Sequence, residues 1–322
     1  MVCLSPFGED EVRGLVGEHR DASIFTLRDE PPAPAAVREA VRDADIVIGD
    51  KRHLHRIDQP VLEAMTRCRL IQMPSVGFDE VDHRRAAELG IPVANAAGYN
   101  SQAVADWTLM AVLVLLRRGS WGDRRMREGG WPKWEMVGRE LGALTVGIIG
   151  FGNVGTAVAT RMRAFGTKIL FHDVVPRSFE GAQQVGLDEL LERSDVVCIH
   201  TALDRDTRGL INAKTLRQMK LGSYLVNAAR GPIVDERALI EALKRGHLAA
   251  AALDVFEVEP LAADSELRSL ENVFLSPHVA GITEESEAYL LEVLRDNVVR
   301  VLDGREPINV VNGVRVKDAK PA

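Results

Sequence analysis

Short β-branched runs alternate with amphipathic stretches along the whole chain. Near the start the runs are Val2-Cys3-Leu4 and residues 23–27, 46–48, 69–72 and 92–94. Between them apolar positions recur every three or four residues, as over 61–68 and 81–89. Strands separated by helices, rather than by tight hairpin turns, predict βαβ units around a parallel sheet. A long helix is expected over 101–118, with Ser101 as its N-cap and Gly119 as its stop. The polar stretch 120–142 carries tryptophan and glycine and reads as a connection rather than core.

A second series follows. Six strands are expected at 145–150, 168–172, 195–200, 223–227, 249–254 and 273–276, with helices over 154–165, 213–219 and 236–245. That order suits a doubly wound nucleotide-binding sheet, so the fold class is α/β. A last helix over 284–302 precedes Gly304 and a Pro307-Ile-Asn-Val-Val tail.

The third series of residues to consider is glycine. Gly150-Phe-Gly152-Asn153-Val154-Gly155 is a G-x-G-x-x-G placed directly after a strand and before a helix, and Asp173 lies 18 residues past Gly155. In that setting the glycines let the backbone approach a pyrophosphate, and the helix N-terminus adds partial positive charge. Asn153 and Val154 supply amides there. Asp173 would accept hydrogen bonds from the adenosine ribose and repel a 2′-phosphate, favouring NAD, with Arg177 nearby to soften the preference.

Three further segments each fall just after a strand end. They are Asn227-Ala228-Ala229-Arg230-Gly, Leu253-Asp254-Val-Phe-Glu257-Val-Glu259-Pro260, and Ser276-Pro-His278-Val-Ala-Gly281. Ligand crevices of open α/β sheets lie beyond the carboxyl ends of the strands, so Arg230, a glutamate and His278 can converge. A histidine serves as acid and base near neutral pH, a carboxylate beside it favours the imidazolium, and an arginine fork matches a substrate carboxylate. Oxidation of an alcohol carbon by hydride transfer needs this set. Spacing alone leaves Glu257 and Glu259 equivalent.

Together these motifs resemble the D-isomer-specific 2-hydroxyacid dehydrogenases, from about Ile46 to Asn309 and most densely between Leu141 and Gly281. The resemblance implies a Rossmann cofactor domain over 100–285. A smaller, discontinuous flavodoxin-like substrate domain, 1–99 with 286–322, would form the cleft that holds the active site. It implies Arg230 as substrate anchor, Glu259 as partner of the histidine and His278 as acid/base. It adds cofactor contacts at Thr201, Ala228, Ala229, Arg230, Asp254 (near the nicotinamide carboxamide), His278 and Gly281. A substrate loop, Pro74-Ser75-Val76-Gly77-Phe78-Asp79, would hold the carboxylate through its amides, although Pro-Ser stands where the family often has a pair such as Ala-Gly. The family also implies a homodimer built largely on the 101–118 helix. Corepressor scaffolds and phosphite dehydrogenase share the fold and the triad and stay open as alternatives, whereas Glu259 argues against formate dehydrogenases.

Composition narrows the partners. A formal net charge of −7 gives no general attraction to nucleic acid or anionic membrane. Cys3, Cys68 and Cys198 lack metal-ligand spacing and fit a reducing compartment, so a cytoplasmic protein without a metal is expected. No signal peptide is read at the start, and the most apolar stretch, 103–116, is too short to span a bilayer. One local excess remains: Lys51, Arg52, His53, His55 and Arg56 make a basic run after the third strand. By resemblance this run faces the far side of the substrate, so Lys51, Arg52 and His53 are candidate ligands for a second anionic group. His172 and His200 read as structural. Trp131 and Trp134 are expected to pack an interdomain or subunit contact.

Overall fold

Every strand that joins either of the two sheets lies parallel to its neighbours. The computed structural model describes all residues except Arg20, 28–32, His53 and 317–322. The chain divides into two compact units, Met1–Asn100 with Thr283–Ala322, and Ser101–Ile282.

The first unit contains β1 (Val2–Cys3), β2 (Phe25–Thr26), β3 (Ile46–Ile48), β4 (Leu70–Gln72) and β5 (Val93–Ala94), in the order β2-β1-β3-β4-β5. The helices between them are α1 (Glu9–Leu15), α2 (Pro34–Val41), α3 (Gln59–Ala64) and α4 (His83–Glu88). β3 is buried on both faces, which is why it reads as an unbroken apolar run, and β4 is equally buried although it ends in Gln72. Asp58 and Asp82 cap α3 and α4 through the N–H groups of Val61 and Arg85, so α3 starts two residues before the expected stretch and α4 two residues after it. The strand expected over 23–27 shrinks to Phe25–Thr26, with the Ser23 carbonyl accepting from the amino group of Met1 at 2.7 Å before it and Leu27 N–H donating to the Cys3 carbonyl at 3.0 Å after it. Gly49 N–H donates to the Gln72 carbonyl at 2.9 Å, so the loops after β3 and β4 leave the sheet side by side at its C-terminal edge.

The second unit opens with α5 (Ser101–Leu116), which ends there because Arg118 turns into the left-handed region at φ 53°. Next comes a helix where a connection was expected, α6 (Gly119–Arg127). Its two glycines and absent apolar stripe hid it. Gly122 packs closely against the Met136 side chain, and an Asp123–Arg127 pair supports its surface. Then follow β6 (Thr145–Ile149), α7 (Asn153–Arg163), β7 (Lys168–His172), β8 (Ala182–Gln184), α8 (Leu187–Arg193) and β9 (Val196–Ile199). The series closes with α9 (Ala213–Gln218), β10 (Ser223–Asn227), α10 (Glu236–Lys244), β11 (Leu248–Leu253) and β12 (Val273–Leu275).

These strands form one seven-stranded sheet, β12-β11-β10-β9-β6-β7-β8. The seventh, β8, is an edge strand of sequence Ala-Gln-Gln with no buried side chain, so no apolar run announces it. Winding reverses between β6 and β9, which are neighbours, and this places the ligand crevice beyond their carboxyl ends. α5 buries Ala105, Ala111, Val112 and Leu116 in the unit's own core beside α7, and Trp107 stacks on Phe274.

The last helix, α11 (Glu284–Leu302), is capped by Thr283 and completes the first unit with Leu290, Leu294, Val298 and Val301. Its buried Asn297 donates to Gln72 Oε1 at 2.7 Å. The tail then lies antiparallel to β5, with Val311 N–H on the Val93 carbonyl at 2.8 Å.

Candidate cofactor and catalytic site

The three glycines after β6 each meet a different constraint. Gly150 has φ 88°, and its α-carbon lies against the His200–Thr201 backbone. Gly155 leaves no room for a Cβ under the Gly150 carbonyl, which draws α7 tightly onto the strand. Gly152 has open space above it, and it is there that a pyrophosphate can approach the first amides of α7. Asn153 and Val154 form that first turn.

Asp173 follows β7 and faces the same loop. Its carboxylate accepts from Phe151 N–H at 2.8 Å and Val175 N–H at 2.9 Å, with Arg177 Nε at 3.4 Å. Partial burial opposes its charge, but the Val175 and Phe151 amides and the Arg177 guanidinium outweigh it and hold its pKa below the usual aspartate value. The residues present fit a dinucleotide: a cradle without side chains, a helix N-terminus and an ionised carboxylate one strand away.

Beyond β10, β11 and β12 the chemistry-bearing side chains gather. Asn227, buried at the end of β10, accepts from Ala229 N–H at 3.1 Å and donates to the Arg230 carbonyl at 3.0 Å, which shapes the Ala228-Ala229-Arg230 turn. Gly231 has no room for a Cβ beside the Phe256 carbonyl, so this turn packs on the loop after β11. Glu259 lies on that loop, its Oε1 accepting from Phe256 N–H at 3.0 Å. Its Oε2 accepts from His278 Nδ1 at 2.7 Å. Spacing had left two glutamates equivalent; the structure pairs Glu259 with the histidine, while the backbone of Glu257 turns to Glu236. Burial opposes the charge of Glu259, yet the His278 hydrogen bond and charge, Phe256 N–H and the Arg230 charge hold its pKa below the ordinary range.

His278 itself has φ 57°, a left-handed conformation that costs a residue with a Cβ about 1–2 kcal/mol. Asp254 is wholly buried and bonded to the same turn. Asn227 and Ser276, which hold these turns, were not singled out from sequence; an Asn or Ser at a strand end before a functional residue is the available signal. Burial pushes His200 down to about 3, and His172 Nδ1 contacts the Val185 carbonyl at 3.2 Å. The thiols of Cys3, Cys68 and Cys198 are pushed up to about 11, 12 and 12 by burial. No group of His, Cys, Asp or Glu among the described residues could hold a metal ion, and no described helix is long and apolar enough to cross a membrane.

In the first unit, the loop after β4 is stapled by Asn95 Nδ2 to the Val76 carbonyl at 2.7 Å and Ala96 N–H to the Ser75 carbonyl at 2.9 Å. Ser75 Oγ donates to the Gly77 carbonyl at 2.6 Å. Among the described residues none accepts from the backbone N–H of Ser75, Val76 or Gly77. The basic run after β3 differs from the open cationic loop that its sequence suggests. Asp50 is buried and accepts from the Arg52 and Leu54 amides, Arg52 Nε and His55 Nδ1, while Lys51 pairs with Glu287 of α11. His53 lies outside the described residues.

Residues 109–280 match the model of the D-isomer specific 2-hydroxyacid dehydrogenase NAD-binding domain. The chain is 38% identical over 310 residues to a glyoxylate reductase of Thermofilum pendens, covering 92% of this chain and 90% of that one. It is 38% identical over 259 residues to an (S)-sulfolactate dehydrogenase of Chromohalobacter salexigens, covering 79% and 84%. Among solved structures, the D-lactate dehydrogenase of Aquifex aeolicus with NAD and lactic acid is similar at a TM-score of 0.85 and 30% identity, covering 100% of both chains.

The depressed pKa of Glu259 predicts a pH signature. A carboxylate with a lowered native pKa contributes stability that is full above its ordinary value and is lost as pH falls through the native one. Glu259→Gln should therefore be less stable than the parent at pH 7, with the gap closing toward pH 3. Melting temperatures of both proteins across that range check it; a gap independent of pH contradicts the assignment.

Proposed function

Because this chain belongs to the D-isomer-specific 2-hydroxyacid dehydrogenases, we propose that it interconverts a D-2-hydroxy acid and its 2-oxo acid, with His278 as acid/base. The observation that carries this reading is the Glu259–His278 pair beside the Arg230 turn. NAD, the cofactor of this domain family, supplies the hydride acceptor. In oxidation His278 Nε2 takes the hydroxyl proton while the C–H bonding pair departs as hydride and the carbonyl forms. In reduction it returns that proton to the carbonyl oxygen. Glu259 fixes the ring through Nδ1 and stabilises the imidazolium. Arg230 binds the substrate carboxylate and polarises the carbonyl. The cofactor would be held by Gly150, Gly152, Asn153, Val154, Gly155, Asp173, Thr201, Ala228, Ala229 and Gly281, where the glycine cradle and the ionised Asp173 support the reading.

Glyoxylate, the substrate in the name of one relative, is a bare two-carbon oxo acid; sulfolactate, in the name of another, carries a second anion. The Lys51–Glu287 and Arg52–Asp50 pairs commit charge of the basic run to internal partners, which favours a small oxo acid. A substrate with a second anionic group, held by Lys51, Arg52 and His53, is the alternative that the basic run supports. A homodimer is also proposed: Trp131, Trp134 and Val137 are all more than three-quarters exposed in the single chain, as an uncovered interface would leave them.

His278→Ala should lower kcat by about 10²–10⁴-fold with little change in cofactor affinity, and Arg230→Ala should raise KM and lower kcat together. Absorbance at 340 nm, the band of the reduced cofactor, follows both; near-normal turnover in either removes its assigned role. Ranking kcat/KM for glyoxylate, pyruvate and phosphorylated or sulfonated oxo acids decides the substrate class. Glyoxylate should lead, with the order unchanged in Lys51→Ala; a sulfonated or phosphorylated leader that Lys51→Ala demotes selects the alternative. Light scattering should return twice the 35.3 kDa chain mass, and a 35.3 kDa particle at micromolar concentration contradicts the dimer.

A further inference from the structure

The loop that carries the chain onward from Asp173 has no apolar burial to hold it. Every residue from Val174 to Ser178 is exposed, Val174 by 93%. A loop of that kind samples many conformations unless hydrogen bonds fix it. Here three of its main-chain groups are met by one side chain, that of Gln184 on the edge strand β8. Gln184 Nε2 donates to the Asp173 carbonyl at 3.0 Å and to the Val175 carbonyl at 3.1 Å, and its Oε1 accepts from Arg177 N–H at 2.9 Å. The partners fix which end of the amide is oxygen, since the opposite orientation would set NH₂ against N–H and oxygen against two carbonyls. The stapled loop in turn fixes two charges. Val175 N–H donates to Asp173 Oδ1 at 2.9 Å, and Arg177 Nε lies 3.4 Å from Asp173 Oδ2. Further on, Phe179 packs edge-on against Phe151 of the glycine turn, with ring centroids 5.6 Å apart.

We propose that Gln184 is a positioning residue that sets the choice between NAD and NADP, by locking loop 173–177 with Asp173 toward the glycine turn and Arg177 on Asp173. The inference rests on the reading of Asp173 as the acceptor for the adenosine ribose. In the locked loop a 2′-phosphate meets the Asp173 carboxylate, while the Arg177 guanidinium is engaged with that same carboxylate. Released from Gln184, the loop can carry Asp173 aside and swing Arg177, whose side chain is nearly half exposed, onto a phosphate that its fork suits. Arg177 thus works against NADP or for it according to a neutral side chain eleven residues beyond the carboxylate.

Fluorescence titration of the full-length enzyme with NADH and with NADPH tests it, and needs no substrate. Gln184→Met keeps the length of the side chain and removes all three bonds. It should lower the ratio of the NADPH to the NADH dissociation constant about fivefold to fiftyfold. A general loss of stability would weaken both cofactors alike and leave that ratio unmoved. In Asp173→Ala, where the carboxylate is gone and Arg177 is already released, the same substitution should shift the ratio less than about twofold. An unchanged ratio in the parent, or an equal fall in both backgrounds, would overturn the proposal. Should Gln184→Met fail to fold, Gln184→Ala removes the same bonds, with the same expected and overturning results. An Asp173→Ala enzyme with the parent's ratio sinks the ribose reading itself, whereas a shifted ratio there and none in Gln184→Met sinks only the staple.

Discussion

At position 231 a single methyl group would overlap the carbonyl of Phe256. This close approach of two backbones governs the geometry of the second unit's chemistry. Parallel strands deliver the ends of β10, β11 and β12 to one edge, but edges alone leave loops a strand spacing apart. Only where the turn after β10 presses on the loop after β11 can the charge of Arg230 act on Glu259. Glu259 in turn reaches across to the loop after β12. The site is therefore built less by its charged side chains than by the glycine that lets their loops meet.

The same economy governs the cofactor cradle. Three glycines within six residues serve three ends: a left-handed turn, open access and close helix packing. The carboxylate at the cradle, Asp173, is kept ionised by amides of its own loop and of the glycine turn, so its position and its charge have a common cause.

Legibility in the sequence followed burial. Strands covered on both faces, such as β3 and β9, announced themselves as apolar runs, and helices with a buried stripe and a capping residue were placed to within a few residues. β8 and α6 left no such trace, because one has no buried face and the other is held by glycine packing and surface pairs. In the candidate site, the residues whose chemistry is unusual for their place, Arg230, Glu259 and His278, were readable as types and by resemblance. Those that hold them, Asn227 and Ser276, were not, because an amide or hydroxyl at a strand end looks like any turn residue until its partners are known. The basic run misled for the complementary reason: composition counts cations, whereas Asp50 and Glu287, one of them far along the chain, decide how much of that charge reaches solvent.

The return of α11 and the tail to the first unit has a consequence for the order of events on the ribosome. β5 finds its outer neighbour only in residues near 310, and the buried amide of Gln72 meets Asn297 only once α11 exists. Some two hundred residues must be synthesised in between, roughly 10–40 s at ordinary translation speeds. Throughout that interval the first hundred residues carry an open strand edge and an uncovered apolar face, the features through which nascent chains stick to one another. The second unit, whose sheet closes on sequence-contiguous elements, can mature first. The half of the molecule that emerges earliest is thus the one that finishes last, and the stretch of nascent chain most in need of a chaperone is its beginning.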